Sequence, residues 1–372
     1  MLETRSPAAS EKRFGRFFLP GPTEVLPEIL AAQSRPMIGH RGKGMEQLIA
    51  QMMPGLQRLF RTTRPVYLSA SSATGLMEAA IRNCGGRRVL SLVNGAFSER
   101  FYRIALANGC EARALEVPLG QVHTPEMVAE ALRGQAYDAV TAVHSETSTG
   151  ALNPVAELAA VVHRSPGTLF LVDAVSSLAG APVETDAWQL DVVLTGSQKA
   201  LALPPGLALG VAQPAALERA RGAAHRGIYF DFVEFESYIR KHQTPNTPAV
   251  SLLFALAAQL QRIEAETVEG RWARHRAMAE RTWAWAAEMQ SRGVAVGVLA
   301  PVGYRSPTVT CLTLPPGRTG SQVNEAMKAR GFTISAGYGA LKDSTIRIGH
   351  MGDHTVAELD ELLQALEEVL RA

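Results

Sequence analysis

Cysteine is scarce in this chain: three residues in 372, at Cys84, Cys110 and Cys311. They are odd in number and far apart, and no Cys-x-x-Cys pair occurs. A disulfide framework and a structural zinc site are therefore not expected. No group of His, Cys, Asp and Glu has metal-ligand spacing either. Excess charge is also lacking, since 37 Lys and Arg against 35 Asp and Glu leave a formal +2. A balance so close to neutral argues against a broad nucleic-acid or membrane footprint. No run of about 18 apolar residues occurs, so no membrane span is expected. Residues 1–16 are polar and mixed in charge, without the apolar stretch of a signal peptide. A soluble, cytoplasmic chain is the expectation. Aromatics are few, at 6%, yet 47% of residues are hydrophobic and 19% charged. That is globular composition, which excludes collagen, coiled coil and general disorder. The length permits a large core and more than one domain.

Between about residues 70 and 210 the pattern alternates strand and helix. Arg88–Val93, Ala139–Val143, Leu169–Val172 and Asp191–Thr195 are short, rich in β-branched residues and bounded by Gly, Asp or Asn. Helical stretches separate them. One starts at Thr124-Pro125-Glu126, with Thr as N-cap and Pro in the first turn. Such alternation predicts a mostly parallel sheet covered on both faces. Ligands of such sheets sit at the carboxyl ends of the strands. After about residue 250 the pattern changes to a long helical region, Ala249 to Met289. Weaker strands follow near Thr308–Leu312 and Thr345–Ile348. A final helix opens with a Thr355/Glu358 capping box and carries one apolar face from Val356 to Leu370. A second, smaller α/β unit is expected there.

Five signals carry chemistry, the first of them made of two segments. Leu171-Val-Asp173 and Thr195-Gly-Ser-Gln-Lys199 each follow an apolar strand. A desolvated Lys in such a crevice can form a Schiff base, and a buried Asp can hold a ring nitrogen protonated. The plainer alternative is a capping Asp and a solvated Lys. Ser69-Ala-Ser-Ser-Ala-Thr74-Gly75 precedes a helix, the arrangement in which backbone N–H groups meet a phosphate, although Ser-rich helix starts are also common caps. His144-Ser-Glu-Thr147-Ser-Thr149-Gly150 is either a polar ligand contact or a polar turn. Phe97, after Asn94-Gly95, either stacks on a flat cofactor or fills core. Arg347, inside the apolar strand Thr345–Ile348, is costly unless paired. It clamps a carboxylate or makes a structural ion pair.

Taken together, the segments resemble the class V aminotransferases, pyridoxal-phosphate enzymes of the aspartate-aminotransferase fold. Phe18-Leu-Pro-Gly21-Pro-Thr23, Gly39-His-Arg-Gly-Lys43, His144–Gly150, Gly196-Ser-Gln-Lys-Ala-Leu201 with Pro204-Pro-Gly206, and Ile346-Arg-Ile-Gly349 match the family in order, from about residue 17 onward. The resemblance implies an α/β fold of type I, with a mostly parallel central sheet in a large domain and a smaller C-terminal α/β domain. The chain is expected to divide into an N-terminal segment packing with the small domain (1–30), a large cofactor domain (31–255) and a small domain (256–372). It also implies roles. Lys199 would be the Schiff-base lysine and proton carrier, and Asp173 the partner of the pyridinium nitrogen. Phe97 and Val175 would flank the ring, and Thr147 would contact its side. Ser72, Ala73, Thr74 and Gln198 would hold the phosphate. Asn246 and Thr247 would reach the phosphate in a neighbouring subunit, which requires a homodimer. Arg347 would bind the substrate carboxylate, aided by backbone near Gly21. The family's phosphate loop commonly carries glycine where Ser71 and Ala73 stand here.

The implied reaction is transamination of a small amino acid, alanine or serine, with a 2-oxo acid, glyoxylate or pyruvate. A phosphoserine or aminoethylphosphonate aminotransferase is the alternative, in which His40 and Arg41 would help hold the substrate. A cysteine-desulfurase-type lyase needs a nucleophilic Cys before the Arg strand, where this chain reads Ser335-Ala-Gly-Tyr338. A non-catalytic homologue would not need both Lys199 and Asp173.

Overall fold

The computed structural model describes residues 14–372. In chain order its strands are β1 (Tyr67–Ser69), β2 (Arg88–Val93), β3 (Glu111–Glu116), β4 (Ala139–Val143), β5 (Ser145–Glu146), β6 (Ala151–Leu152), β7 (Leu169–Asp173), β8 (Val192–Gly196), β9 (Ala208–Ala212), β10 (Gly297–Val298), β11 (Val309–Thr313), β12 (Ser335–Ala336) and β13 (Thr345–Gly349). Seven of them form the main sheet, ordered β1-β9-β8-β7-β4-β2-β3. Pairings among β3, β2, β4, β7 and β8 are parallel, and β9 runs antiparallel to β8 and β1. The mostly parallel sheet is thus present. The carboxyl ends of β1, β2, β4, β7 and β8 lie along one edge, and the segments after Ser69, Val93, Val143, Asp173 and Gly196 meet there.

Four of these strands are the ones the apolar runs predict. Three are not marked by such runs, for different reasons. β1 is only three residues long. β3 is an edge strand with no fully buried residue, reading Glu-Ala-Arg-Ala-Leu-Glu. β9 is buried throughout but reads Ala-Leu-Gly-Val-Ala, whose small residues carry little strand propensity.

A second sheet, β10-β11-β13-β12, is antiparallel. The final helix, Val356–Arg371, lies with it and carries the capping box of Thr355 and Glu358. Its Leu359, Leu362, Leu363 and Leu366 share a core with Ile346 and Ile348 of β13 and with Phe18. The N-terminal segment reaches this core by backbone pairing: Phe18 N–H donates to Thr333 O, and Gly349 N–H to Phe18 O.

The helical region expected from 249 to 289 is two helices, Val250–Glu266 and Val268–Ser291. The break is Thr267, at φ 67° and ψ 153°, whose side chain accepts from Gly270 N–H. A division of the chain at residue 255 falls inside the first helix. Leu256, Leu260 and Ile263 still pack in the core of the main sheet, so the chain passes to the second core only beyond Thr267.

Just past that break, Arg271 is fully buried. Its guanidinium donates to Ala200 O at 2.7 and 3.2 Å, to Asp353 at 2.8 Å and to Glu266 at 3.1 Å. It therefore ties the residue after Lys199 to the loop after β13. Arg271→Met would leave the Asp353 carboxylate, 5% exposed, with Gln259 as its remaining side-chain donor among the described residues. A loss of about 3 kcal/mol of unfolding free energy is expected, read by urea denaturation. An unchanged midpoint and slope would show that the network carries no stability.

Candidate active site

The carboxyl edge of the main sheet positions most of the expected residues. Asp173 ends β7 and is 3% exposed. Its Oδ1 accepts from Val175 N–H at 2.7 Å. Burial pushes the Asp173 carboxyl up to about 7, since an anion loses hydration there; the Val175 N–H opposes this, and the Glu146 charge adds to it. Lys199, after β8, is 6% exposed. Burial lowers its amine to about 8, with the Arg347 charge acting the same way and Asp173 and Glu146 opposing. The Lys199 amine donates to Pro20 O and lies 5.7 Å from the centre of the Phe97 ring. Gly21 has φ 112°, and a Cβ there would sit 2.5 Å from the Lys199 chain. Glycine at 21 thus leaves the room through which the lysine passes.

Arg347 enters from the second sheet, at the centre of β13 and 7% exposed. Its Nη2 donates to Ser335 Oγ at 2.8 Å, its Nε to Ala336 O at 3.2 Å and its Nη1 to Thr147 O at 3.4 Å. Every one of these acceptors is neutral. Among the described residues no carboxylate lies within ion-pair distance of it. Burial lowers its pKa, because the charge is poorly solvated. A structural ion pair is therefore not what Arg347 makes. Tyr338 bridges the two sides of the site: its ring centre is 5.5 Å from the Arg347 guanidinium and 5.8 Å from the Phe97 ring. The Thr147 hydroxyl bonds to Ser176, and Phe97 stands in the first turn of helix Ala96–Ala107.

Ser72 is the N-cap residue of helix Ala73–Cys84 and makes no side-chain cap bond. The N–H groups of Ala73 and Thr74 have no acceptor among the described residues. Ala73 and Gln198 both border Gly196: a Cβ on that glycine would lie 2.6 Å from the Gln198 amide oxygen and 3.3 Å from Ala73 Cβ. With Ser71 and Ala73 in place of glycines, the loop still presents free N–H groups. These fit an anion such as a phosphate.

Other expected residues lie elsewhere. Asn246 donates to Tyr229 O at 3.4 Å, and the Tyr229 hydroxyl to Ala70 O at 3.2 Å, so the 244–248 loop borders the segment leading into Ser71–Thr74. Thr247 is exposed. Arg41 does not join the Arg347 group. It donates to Thr244 O at 2.8 Å and Pro245 O at 2.9 Å, bracing that same loop. His40, its half-buried neighbour, makes no hydrogen bond to another described residue. Cys311 is buried in β11 directly across from Arg347, and burial raises its thiol to about 11. It is not a poised nucleophile, which removes the basis for the desulfurase alternative. Among the described residues no group of His, Cys, Asp and Glu has the geometry of a metal site, and no helix is long and apolar enough to cross a membrane.

Two residues of weight lack an assignment from sequence. Glu146 is completely buried, and Arg100 lies with its guanidinium 5.1 Å from the Phe97 ring centre. Glu146 stands within the His144–Gly150 motif, but its partners Phe97 and Ser98 are distant in the chain. Arg100 follows Phe97 on the same helix face, and that spacing was its available signal.

A buried lysine held near neutrality, a buried carboxyl without a cation and a buried guanidinium without an anion are the complement of an aldehyde-bearing pyridine and an amino acid. Comparison with known proteins agrees. The family model described as aminotransferase class-V matches residues 31–362. The chain is 37% identical to an uncharacterized aminotransferase of Methanocaldococcus jannaschii, over 95% of this chain and 92% of that one. It is 31% identical to the L-aspartate–glyoxylate aminotransferase of Paracoccus denitrificans, over 91% and 87%. The solved alanine–glyoxylate aminotransferase of a Nostoc species superposes with a TM-score of 0.90 at 28% identity, covering 99% of each chain. Lysine, aspartate and arginine at the edge of this fold, and a family match over nearly its whole length, place the chain in the class V aminotransferases, a pyridoxal-phosphate-dependent family.

Proposed function

We propose that this chain binds pyridoxal 5′-phosphate at Lys199 and transfers the amino group of alanine or serine to glyoxylate or pyruvate, working as a cytoplasmic homodimer. The observation that carries the reading is Arg347, a buried guanidinium with neutral acceptors only, facing the same space as Lys199. When bound, the cofactor supplies an aldehyde that takes up the amino group and a ring that draws electrons from the adjoining carbon. The chain's own residues do the rest. Arg347 binds the donor's carboxylate and fixes the direction of its Cα–H bond. The Lys199 amine, which burial lowers to about 8 so that more of it is unprotonated than of an ordinary lysine, takes that proton and returns it on the cofactor side. Asp173 holds a proton on the ring nitrogen, which restores the charge partner its burial denies it. Phe97 and Val175 flank the ring, and Thr147 contacts its side. Ser72, Ala73, Thr74 and Gln198 hold the phosphate. Asn246 and Thr247, on the loop braced by Arg41, reach the phosphate of the neighbouring subunit.

Small donors are favoured by Tyr338, whose ring stands between Phe97 and Arg347 and limits side-chain room. Aspartate is the second reading. Arg100 makes no ion pair among the described residues and offers a second cation beside Phe97. The test is a single-turnover panel of alanine, serine, aspartate, phosphoserine and aminoethylphosphonate, followed by the absorbance change of the cofactor-loaded protein. Alanine or serine should react fastest, by about tenfold or more over the anionic donors, the scale of one misfit side chain. A faster change with aspartate selects the second reading. Preference for the phosphorus-containing donors would overturn both.

A further inference from the structure

Glu146 is a carboxylate with no exposed surface and no cation within ion-pair distance among the described residues. Such burial is costly unless each lone pair is satisfied. Here neutral donors converge on it from two segments. Glu146 Oε2 accepts from Phe97 N–H at 3.2 Å, Ser98 N–H at 3.0 Å and the Ser98 hydroxyl at 3.0 Å. Glu146 Oε1 accepts from Ser148 N–H at 3.1 Å and the Ser148 hydroxyl at 2.6 Å. The Ser148 oxygen in turn accepts from Ala96 N–H at 3.1 Å. Helix Ala96–Ala107 begins at Gly95 with no side-chain cap of its own. Glu146 supplies that cap from another strand and meets the positive end of the helix dipole. The approach needs a glycine, because a Cβ on Gly95 would sit 2.5 Å from Glu146 Cγ and 2.6 Å from its carboxyl carbon.

The two segments joined in this way are the two walls of the site. One carries Phe97. The other carries Thr147, whose carbonyl accepts from Arg347. We infer that Glu146 is a positioning residue: its buried carboxylate locks the start of the Phe97 helix to the Thr147 turn, fixing the aromatic wall relative to the Arg347 anchor. The inference rests on the cofactor reading above. The anion also acts at a distance. It favours the charged forms of Lys199 and Arg347 and disfavours that of Asp173, within a set that also includes Arg100.

Glu146→Gln keeps the shape and removes the charge. Its amide also turns an NH2 group toward N–H donors. In the cofactor-loaded variant, the pH midpoint of the visible absorbance should fall by on the order of one unit, since an anion that favours the protonated lysine nitrogen is gone. The donor kcat/KM should fall about tenfold to a hundredfold through misplacement of the walls. Glu146→Asp, which keeps the charge, should restore the midpoint without restoring the full rate. A residue with only a structural role would lower stability and leave the midpoint in place, and that outcome overturns the inference. If Glu146→Gln fails to fold, Ser148→Ala removes the 2.6 Å donor and leaves the charge. It must then raise the donor KM a few-fold, and an unchanged KM overturns the inference. Failure of the cofactor reading is separately visible, because the wild-type protein would then show no pH-dependent visible absorbance with pyridoxal phosphate.

Discussion

Lys199→Ala is expected to lower turnover by about four orders of magnitude, the upper range for removal of a positioned acid–base group. It is also expected to abolish covalent attachment of the cofactor. Borohydride reduction of the loaded wild-type protein should fix the cofactor and raise the chain's mass; the variant's mass should not change. Lys199→Arg should be equally inactive, because a guanidinium stays protonated and cannot serve as nucleophile or base. The pH dependence has a definite sign. Burial lowers the Lys199 amine to about 8. Its neutral form therefore appears below the pH at which an ordinary lysine, near 10.5, loses its proton. Attachment of cofactor to the stripped protein should speed up as pH rises through about 8 and level off above it. An attachment rate still climbing toward pH 10 would show that the lysine is not desolvated. Full activity in Lys199→Ala would remove the proposed chemistry altogether.

Lys199 and Asp173 were legible in sequence because a parallel sheet makes strand ends meet. An apolar run followed by a lone charged residue, twice, places both at one edge. Arg347 was legible for a related reason, as a charge interrupting an apolar strand. What sequence left open was whether these charges were already paired. Among the described residues Arg347 has only neutral acceptors, Asp173 a single backbone N–H donor and Lys199 a backbone carbonyl acceptor. Only the folded chain shows that, since pairing depends on residues far apart in the sequence. Glu146 makes the point from the other side. It stands in the His144–Gly150 motif, yet its function as a cap for the Phe97 helix depends on residues nearly fifty positions away. Arg271 could not be read from its helical pattern, because a buried Arg on an otherwise mixed face has no periodic mark. The boundary at Thr267 was hidden for a local reason. A β-branched residue at positive φ breaks a helix where propensity alone predicts continuation.

Arg347→Met separates function from stability more cleanly than any other substitution in this site. The guanidinium is buried and has no ion partner among the described residues, so its removal leaves no carboxylate stranded. Ser335 Oγ, Ala336 O and Thr147 O each lose a charge-assisted donor, at about 1.5–3 kcal/mol for a well-formed bond to a charged group. Relief from burying an uncompensated charge offsets that cost. Stability in urea should therefore stay within about 1 kcal/mol of wild type, or exceed it. Catalysis should respond very differently. A buried charge-assisted contact to the donor carboxylate is worth roughly 4 kcal/mol when one partner is removed, about a thousandfold in kcat/KM. Arg347→Lys should recover little of this, since an ammonium lacks the planar fork that fixes the carboxylate and hence the Cα–H direction. The loss should fall equally on alanine and serine, because both present the same carboxylate. Amines without a carboxylate should react with the loaded protein at rates that the substitution does not change. A variant that keeps wild-type kcat/KM for alanine and serine would show that Arg347 binds no substrate. One that unfolds instead would show that its charge is compensated within the fold.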